Sequence, residues 1–320
     1  MHTSRRAALA LAAPWAGWAV LRAAGAERGF PLVPAVAFTR YAAATSVLPV
    51  VTAALARSRS ATVLAAGAAT LLTASVLGGP LRDRLRPAAD VATDGRPLRL
   101  VSLNILQGRA DAAAVVALAA DADVLALSEV TPEAVTALLA AGVADLLPNA
   151  HVVPAGEGQP AGAGGALWTR LEVQSRTVTP GRFGQPTARL ALPGSPEVEV
   201  TAVHTHPPAS SGEQVARWEE DLQLLPDPAD PVLRVLAGDF NATPDHAAYR
   251  RLLRRGWVDA AQVTGQSLRP TWSPIRSPMP RLTLDHVLVD PRIGVGALQV
   301  VHVPGTDHRA LVADLRLPRG

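Results

Sequence analysis

The N-terminal quarter of the chain is strongly apolar, which restricts it to helices buried in a core or crossing a membrane. Residues 1–81 are rich in Ala, Leu and Val and carry few charges. Three apolar stretches fall here: Ala7 to Leu21, Val33 to Ala56 (interrupted by Arg40), and Ala61 to Leu81. A helix crossing the ~30 Å hydrocarbon core needs about 20 apolar residues. The second and third stretches reach that length and the first is marginal. Arg40 lies near one end of its stretch, where a long side chain can snorkel to the interface. Trp15, Trp18, Phe30, Phe38 and Tyr41 sit in or beside the stretches, and aromatic rings favour membrane interfaces. A cleaved signal peptide fits poorly, because two more apolar stretches follow the first. The expectation is a membrane region over 1–81 with about three transmembrane helices, which places the chain ends on opposite sides. Arg5, Arg6, Arg57 and Arg59 would face one side, and Arg28, Arg82, Arg84 and Arg86 the other, so positive charge leaves the orientation open. Residues 82–96, charged and containing Pro and Gly, read as a linker.

Charge divides the chain at the same place. Residues 1–95 hold 10 Arg against 4 acids, and residues 96–320 hold 20 Arg against 23 acids. The net +3 therefore belongs to the N-terminal part. The remainder has no electrostatic footprint for bulk nucleic-acid binding. The absence of cysteine excludes a disulfide scaffold, thiolate-held zinc or iron–sulfur, and a cysteine nucleophile.

From Leu98 onward the pattern changes to short apolar runs. Leu98–Asn104, Asp123–Ser128, Ala166–Arg170, Val173–Thr179, Thr187–Leu192, Val198–His204, Val232–Ala237, Leu284–Val289, Val295–Val301 and Leu311–Leu317 read as strands. Asp111–Ala120, Pro132–Ala141, Glu213–Leu225 and Ala247–Arg255 read as helices, with Asp111 and Thr131 as N-caps. Gly156–Gly165 reads as a flexible loop. Many strands interleaved with helices point to a two-layered or four-layered α/β domain over 97–320.

Polar residues recur where these strands end. Asn104 follows LRLVSL, Glu129 follows DVLALS, and His204 and His206 follow VEVTAV. Asp239 and Asn241 follow VLRVLAG, Asp285 opens DHVLV, and Asp307 and His308 precede RALVADL. Strand ends converge on one rim of a packed sheet, where α/β proteins place their sites. Each group alone has a plainer reading as a cap or turn residue. Their repetition is harder to assign to turns. Carboxylates and an amide without thiols suit a hard cation such as Mg²⁺ or Mn²⁺. Histidine beside carboxylate suits proton transfer or a clamp on phosphate. Together they suggest metal-assisted attack of water on a phosphate ester.

SLNIL (102–106), SEV (128–130), VHTHPP (203–208), GDFNATP (238–244), LDHVLV (284–289) and TDHRALVADL (306–315) resemble the ordered motifs of the endonuclease/exonuclease/phosphatase superfamily. Its members include deoxyribonucleases, abasic-site endonucleases, inositol-polyphosphate phosphatases and neutral sphingomyelinases. The resemblance implies a DNase I-like four-layered α/β sandwich from about Pro97 to Leu317. It implies a metal region of Asn104, Glu129 and Asp307, with Glu129 the main Mg²⁺ ligand. Asp239 matches the carboxylate that orients or deprotonates water, and Asn241 the amide that holds the scissile phosphate. His308 matches the histidine that contacts phosphate or transfers a proton, with Asp285 orienting it. His206 resembles the mid-chain histidine that stabilises developing charge, and His204 is the alternative two residues away. Trp272 sits where many members carry a substrate-side aromatic, with core packing as its other reading. Arg189 is a candidate for reaching an anionic group, whereas Arg281 reads as solvated surface. Arg250, Arg251, Arg254 and Arg255 form a basic helix face, solvated or near lipid head groups.

The resemblance extends to a bacterial subgroup in which hydrophobic segments precede such a domain. It implies a multi-pass protein of the cell membrane with its catalytic domain outside the cytoplasm. The expected activity is Mg²⁺-dependent cleavage of a phosphoester or pyrophosphate in a lipid-linked or membrane-proximal substrate. A membrane-anchored nuclease is the first alternative, disfavoured by the acidic domain, because phosphate neutralisation drives DNA binding. A non-enzymatic sensor or scaffold of the same fold is the second, disfavoured because the main catalytic positions are filled.

Overall fold

The computed structural model describes residues 2–85, 95–275 and 277–319. The N-terminal part contains α1 (His2–Ala24), α2 (Leu32–Val36), α3 (Thr39–Thr45), α4 (Val47–Leu55) and α5 (Arg59–Leu85). Among the described residues, Ser4–Ala24 and Arg59–Gly78 are long and apolar enough to cross a membrane. Ala8 clusters with Ala53 and Ala61 at one end, and Ala19 with Ala68 and Leu72 further along. α1 and α5 therefore run parallel, and the chain returns between them through α2–α4.

That return corrects the expectation of one continuous helix over Val33–Ala56. Thr39 Oγ1 donates to the Val36 carbonyl and Ser46 Oγ to the Ala43 carbonyl, both at 2.6 Å. Such hydroxyls compete with the helix ladder, and Pro49 lacks the N–H that a longer helix would need. Trp15 and Trp18 act as fasteners within this part. Their indole nitrogens donate to the Ala42 carbonyl and to Thr39 Oγ1. The expected linker also shortens, since α5 continues to Leu85 and residues 86–94 lie outside the described residues.

The second part contains β1 (Arg96–Asn104), α6 (Ala112–Leu118), β2 (Val124–Ser128), α7 (Pro132–Ala140), α8 (Val143–Leu146), β3 (Asn149–Val153), β4 (Gly165–Thr169), β5 (Glu172–Val178), β6 (Pro186–Ala191) and β7 (Val198–His204). It continues with α9 (Gly212–Leu224), β8 (Leu233–Asp239), α10 (Ala247–Arg254), β9 (Val258–Asp259), α11 (Ala260–Val263), β10 (Asp285–Val289), β11 (Gly294–His302) and β12 (Arg309–Leu317). One six-stranded sheet has the order β11-β12-β1-β2-β4-β3, and the other β5-β6-β7-β8-β10-β9. Leu100, Ala126, Val200, Val235 and Val287 fill the space between the sheets. Val115, Leu125 and Leu138 pack helices onto the outer face of the first sheet, and Trp218, Leu236 and Leu252 do so on the second. The result is the four-layered α/β sandwich expected from the motifs. Asp111 and Thr131 cap α6 and α7, accepting from Ala114 N and Ala134 N.

Each sheet has one parallel pair at its centre, β1 with β2 and β7 with β8. Antiparallel β10 begins at Asp285, opposite Asp239 on β8. This topology brings the polar strand ends to one rim.

Candidate active site

Backbone geometry aims the site. After β1, Leu106, Gln107 and Gly108 all adopt positive φ, and Glu129 follows β2 at φ 59°. For a residue like Glu this conformation costs about 1–3 kcal/mol and must be held by its surroundings. Here the Gln107 N–H donates to Glu129 Oε2 at 2.9 Å. On β8, Gly238 lies so close to β7 that a Cβ would sit 2.0 Å from the Val203 carbonyl oxygen. Any other residue would push the strands apart and lift Asp239 off the rim. Asn241 sits at φ 46°, a conformation Asn tolerates, and its N–H donates to Asp239 Oδ1 at 2.8 Å.

Asn104 is fully buried between two carboxylates. Its Nδ2 donates to Glu129 Oε1 at 2.9 Å and to Asp239 Oδ2 at 3.0 Å, while its Oδ1 accepts from the Leu106 N–H. That partner set fixes the amide orientation, because the reverse would set oxygen against two carboxylates. Asn104 therefore positions Glu129 and Asp239 with its amide nitrogen, and its oxygen is engaged by the backbone.

His308 is buried, and its Nδ1 donates to the Asp285 carboxylate, 2.9 Å from Oδ2. Nε2 faces Asp239 Oδ2 at 3.7 Å and Asp307 Oδ1 at 3.9 Å. Burial alone would lower its pKa, but Asp285, Asp239 and Asp307 outweigh burial and raise it, so the imidazolium is favoured. Burial raises Asp239, assisted by the Asp285 charge and opposed by His308. Thr271 Oγ1 accepts from the Asp285 N–H, and Thr306 Oγ1 from the His308 N–H.

Asp239, Asp285 and His308 lie close enough together to be considered as a cation site. The Asp285 carboxylate is already committed to His308 Nδ1, which leaves Asp239 as the carboxylate of this trio that faces the cleft. The residues that could hold a divalent cation are Glu129, Asp239 and Asp307, all lining one cleft. Asp307 Oδ1 is buried without a hydrogen-bond partner, and the donors are all oxygens, which fits a hard cation.

The cleft has a volume of about 540 Å³. Asp239, Asn241 and His308 form its polar wall. Phe183, Trp272 and Leu282, together with Pro34, Ala37 and Phe38 of the N-terminal part, form an apolar wall. Trp272 faces the cleft and also donates Nε1 to Asp307 Oδ2 at 2.9 Å.

The two histidines separate here. His204 lines the cleft with Nδ1 buried and unpartnered. Burial, reinforced by the His308 charge, lowers it to about 3, so it is neutral. His206 does not line the cleft. Its Nδ1 donates to the Pro207 carbonyl and its ring stacks on Phe183. Arg189 is not brought to the cleft either. It lies opposite Glu199 on β7 and is 3.5 Å from that carboxylate and 3.8 Å from Glu197.

Several supports went unread in the sequence. Asp221 Oδ2 accepts from the His206 N–H, Gln185 Oε1 from the His204 N–H, and Thr205 Oγ1 donates to the Phe240 carbonyl. For Asp221 a signal existed. It lies on the apolar face of α9 with Val215, Trp218 and Leu222, and an acid there needs partners.

Residues 101–308 match the model of the endonuclease/exonuclease/phosphatase family. The chain belongs to this family. Its members are metal-dependent hydrolases of phosphate esters, and this family member is such an enzyme. An endonuclease/exonuclease/phosphatase from Beutenbergia cavernae is similar at 23% identity and TM-score 0.55, covering 70% of this chain and 72% of that one. Sphingomyelinase C from Streptomyces griseocarneus is similar at 18% identity and TM-score 0.51, covering 68% and 99%. D. rerio TDP2, complexed with a single-strand DNA product, is similar at 17% identity and TM-score 0.54, covering 69% and 99%. Comparison with curated protein sequences gives no match.

Proposed function

We propose that this enzyme is a multi-pass membrane protein that uses Mg²⁺ to hydrolyse a phosphoester or pyrophosphate in a lipid-linked or membrane-proximal substrate. The observation that carries this reading is the composition of the cleft. Its polar wall belongs to the catalytic domain, and part of its apolar wall is Pro34, Ala37 and Phe38 of the N-terminal helices. A substrate with a phosphate at one end and an apolar body at the other fits such a cleft.

Packing supports the membrane half of the reading. Ala12, Ala61 and Ala65 are fully buried between helices, while Val20, Val51, Leu55 and Val63 face outward. Small residues inside and large apolar residues outside is the pattern of helices solvated by lipid. We assign the catalytic domain to the outside of the cytoplasm, as the resemblance to the membrane-anchored bacterial subgroup implies.

In the proposed reaction Glu129 and Asp307 would hold the cation, which leaves Asp239 to act on the attacking water. When bound, it supplies Lewis-acid polarisation of the phosphoryl oxygen and neutralises developing charge. Asp239 orients the attacking water and accepts its proton as the bond from water oxygen to phosphorus forms and the P–O bond to the leaving group breaks, the leaving oxygen taking its proton from solvent. His308, held by Asp285, presents Nε2–H to the phosphoryl group, and Asn241 holds a non-bridging oxygen. His204, neutral and lining the cleft, takes the mid-chain position near the developing charge. These donors are fixed before substrate arrives, which is how electrostatic catalysis lowers a barrier.

The test is hydrolysis by the purified full chain in detergent, with and without Mg²⁺, on phospholipids, polyprenyl pyrophosphate, inositol phosphates and duplex DNA. Mg²⁺-dependent release from a lipid-borne substrate, abolished in Asp239→Asn, is expected. Activity confined to DNA would replace this reading with a nuclease.

A further inference from the structure

Across the α2–α3 segment from the catalytic cleft lies a second cavity, of about 530 Å³. Arg22 reaches it from the last turn of α1, Arg40 from α3, and Arg250 and Arg254 from α10. Asp245 is the one carboxylate among its described lining residues. That acid is committed. Arg22 Nε donates to Asp245 Oδ1 at 2.7 Å, and both residues are buried. Glu27, the nearby acid, accepts from the Ala247 N–H at the start of α10.

The other three guanidiniums make no ion pair among the described residues. Arg40 donates to the Tyr41 hydroxyl at 2.9 Å and lies over its ring. Arg250 donates to the backbone carbonyls of Asp245 and Arg22. Their neighbours on α10 behave differently, for Arg251 pairs with Glu219 and Arg255 with Asp227. The basic helix face read from the sequence thus splits into two arginines neutralised outside and two turned to the cavity. Burial, together with the Arg22 charge and against the opposing Glu27 and Asp245 charges, lowers Arg250 to about 10.

We infer that this cavity is a second anion site, separate from the catalytic cleft, which takes a phosphate-bearing group on Arg40, Arg250 and Arg254. Planar guanidiniums match phosphate oxygens in pairs and bind them more strongly than neutral donors do. Two sources carry this chemistry: an anionic lipid head group and a free phosphate ion. The walls include Ala74, Ser75 and Gly78, where the apolar span of α5 ends, which puts a head group within reach. The choice of a lipid source rests on the membrane reading above. The anion site does not.

The experiment measures binding of phosphatidic acid, diacylglycerol and inorganic phosphate to the full chain in detergent, by equilibrium titration and by thermal unfolding. Phosphatidic acid is expected to bind and raise the unfolding midpoint, with diacylglycerol inert. Each guanidinium removed, in Arg40→Gln and Arg254→Gln, is expected to weaken binding about tenfold. Arg251→Gln should bind as the parent does. Ser75→Asp, which adds a carboxylate to the cavity while leaving every arginine in place, should abolish binding even if the arginine variants fold poorly. Competition by millimolar phosphate would identify free phosphate as the source, and its absence the lipid, and either supports the site. Unchanged affinity in both Arg40→Gln and Ser75→Asp would overturn it. Asp239→Asn should keep this binding while losing hydrolysis, so failure of the anion site and failure of the proposed activity are separately visible.

Discussion

The two parts of this molecule solve packing in opposite ways. In the catalytic domain large side chains are inside: Trp168, Trp218, Phe240 and Leu236 are buried. In the N-terminal helices the buried residues are mostly alanines, joined by Leu72, Val33 and Val36, and Leu55, Val20 and Val63 are outside. Both parts are apolar in composition, so composition does not explain the difference. What differs is the solvent each packing pattern suits. Water drives large apolar groups into a core, whereas helices in lipid gain most from close backbone approach through small residues. The seam between the parts carries two cavities of nearly equal volume and opposite chemistry, one with a catalytic and apolar lining, the other with four arginines.

The largest expected effect isolates the catalytic side of that contrast. His308→Ala should lower kcat about 10²–10³-fold, the range for losing a donor fixed on the developing charge. Circular dichroism and anion binding at the arginine cavity should be unchanged. Equal kcat in variant and parent would remove His308 from the chemistry.

Leu236→Ala, in the domain core, should destabilise by about 2–5 kcal/mol in denaturant titration. Ala65→Leu, in the alanine seam, should destabilise the helical part by about 1–3 kcal/mol through overpacking. Val63→Ala, on the outer face, should have little effect in a bilayer. A large loss from Val63→Ala would mean that this face packs on something other than lipid.

The seam itself is probed by Phe38→Ala. Phe38 is half-buried on the apolar wall. Its loss should raise KM about tenfold for a lipid-borne ester, on the scale of about 1.5–3 kcal/mol for burying such a side chain. KM for a short-chain ester of the same head group should change much less. Equal changes for both would argue against an apolar role for this wall.

The smallest effect concerns pH. His246 Nδ1 accepts from the Thr243 N–H and Nε2 donates to the Val33 carbonyl, which fixes the neutral tautomer and ties α2 to the catalytic domain. Burial lowers its pKa from 6.5 to about 4. The unfolded chain therefore binds more protons than the folded one between these values. The contribution of His246 is complete above pH 6.5 and is lost as pH falls towards 4. Stability should decline across that window, and less steeply in His246→Gln. Identical slopes would assign the acid sensitivity elsewhere.

Much of the fold was legible because apolar runs and caps carry their own physics. Val198–His204 is read to the residue, and Asp111 and Thr131 cap the helices they were expected to cap. The rim was legible because polar residues at apolar strand ends need a reason to be there. Three things were hidden. His204 and His206 are two apart and so share a face in any extended strand. They separate only because β7 ends at His204 and Asp221, distant in sequence, takes the His206 N–H. Arg189 looked available for an anion because cross-strand register, which places it opposite Glu199, is not written locally. The break in Val33–Ala56 was masked by uniformly apolar composition, although Thr39, Ser46 and Pro49 are the residues that make it.

The most direct measurement is a competition in one reaction. The full chain in nanodiscs, with Mg²⁺, receives a lipid-borne phosphate ester and a water-soluble ester with the same head group. A kcat/KM at least about tenfold higher for the lipid-borne ester, lost with chelator and in Asp239→Asn, is the predicted result. Equal kcat/KM for the two esters, or preference for the soluble one, would contradict a site built to serve the membrane.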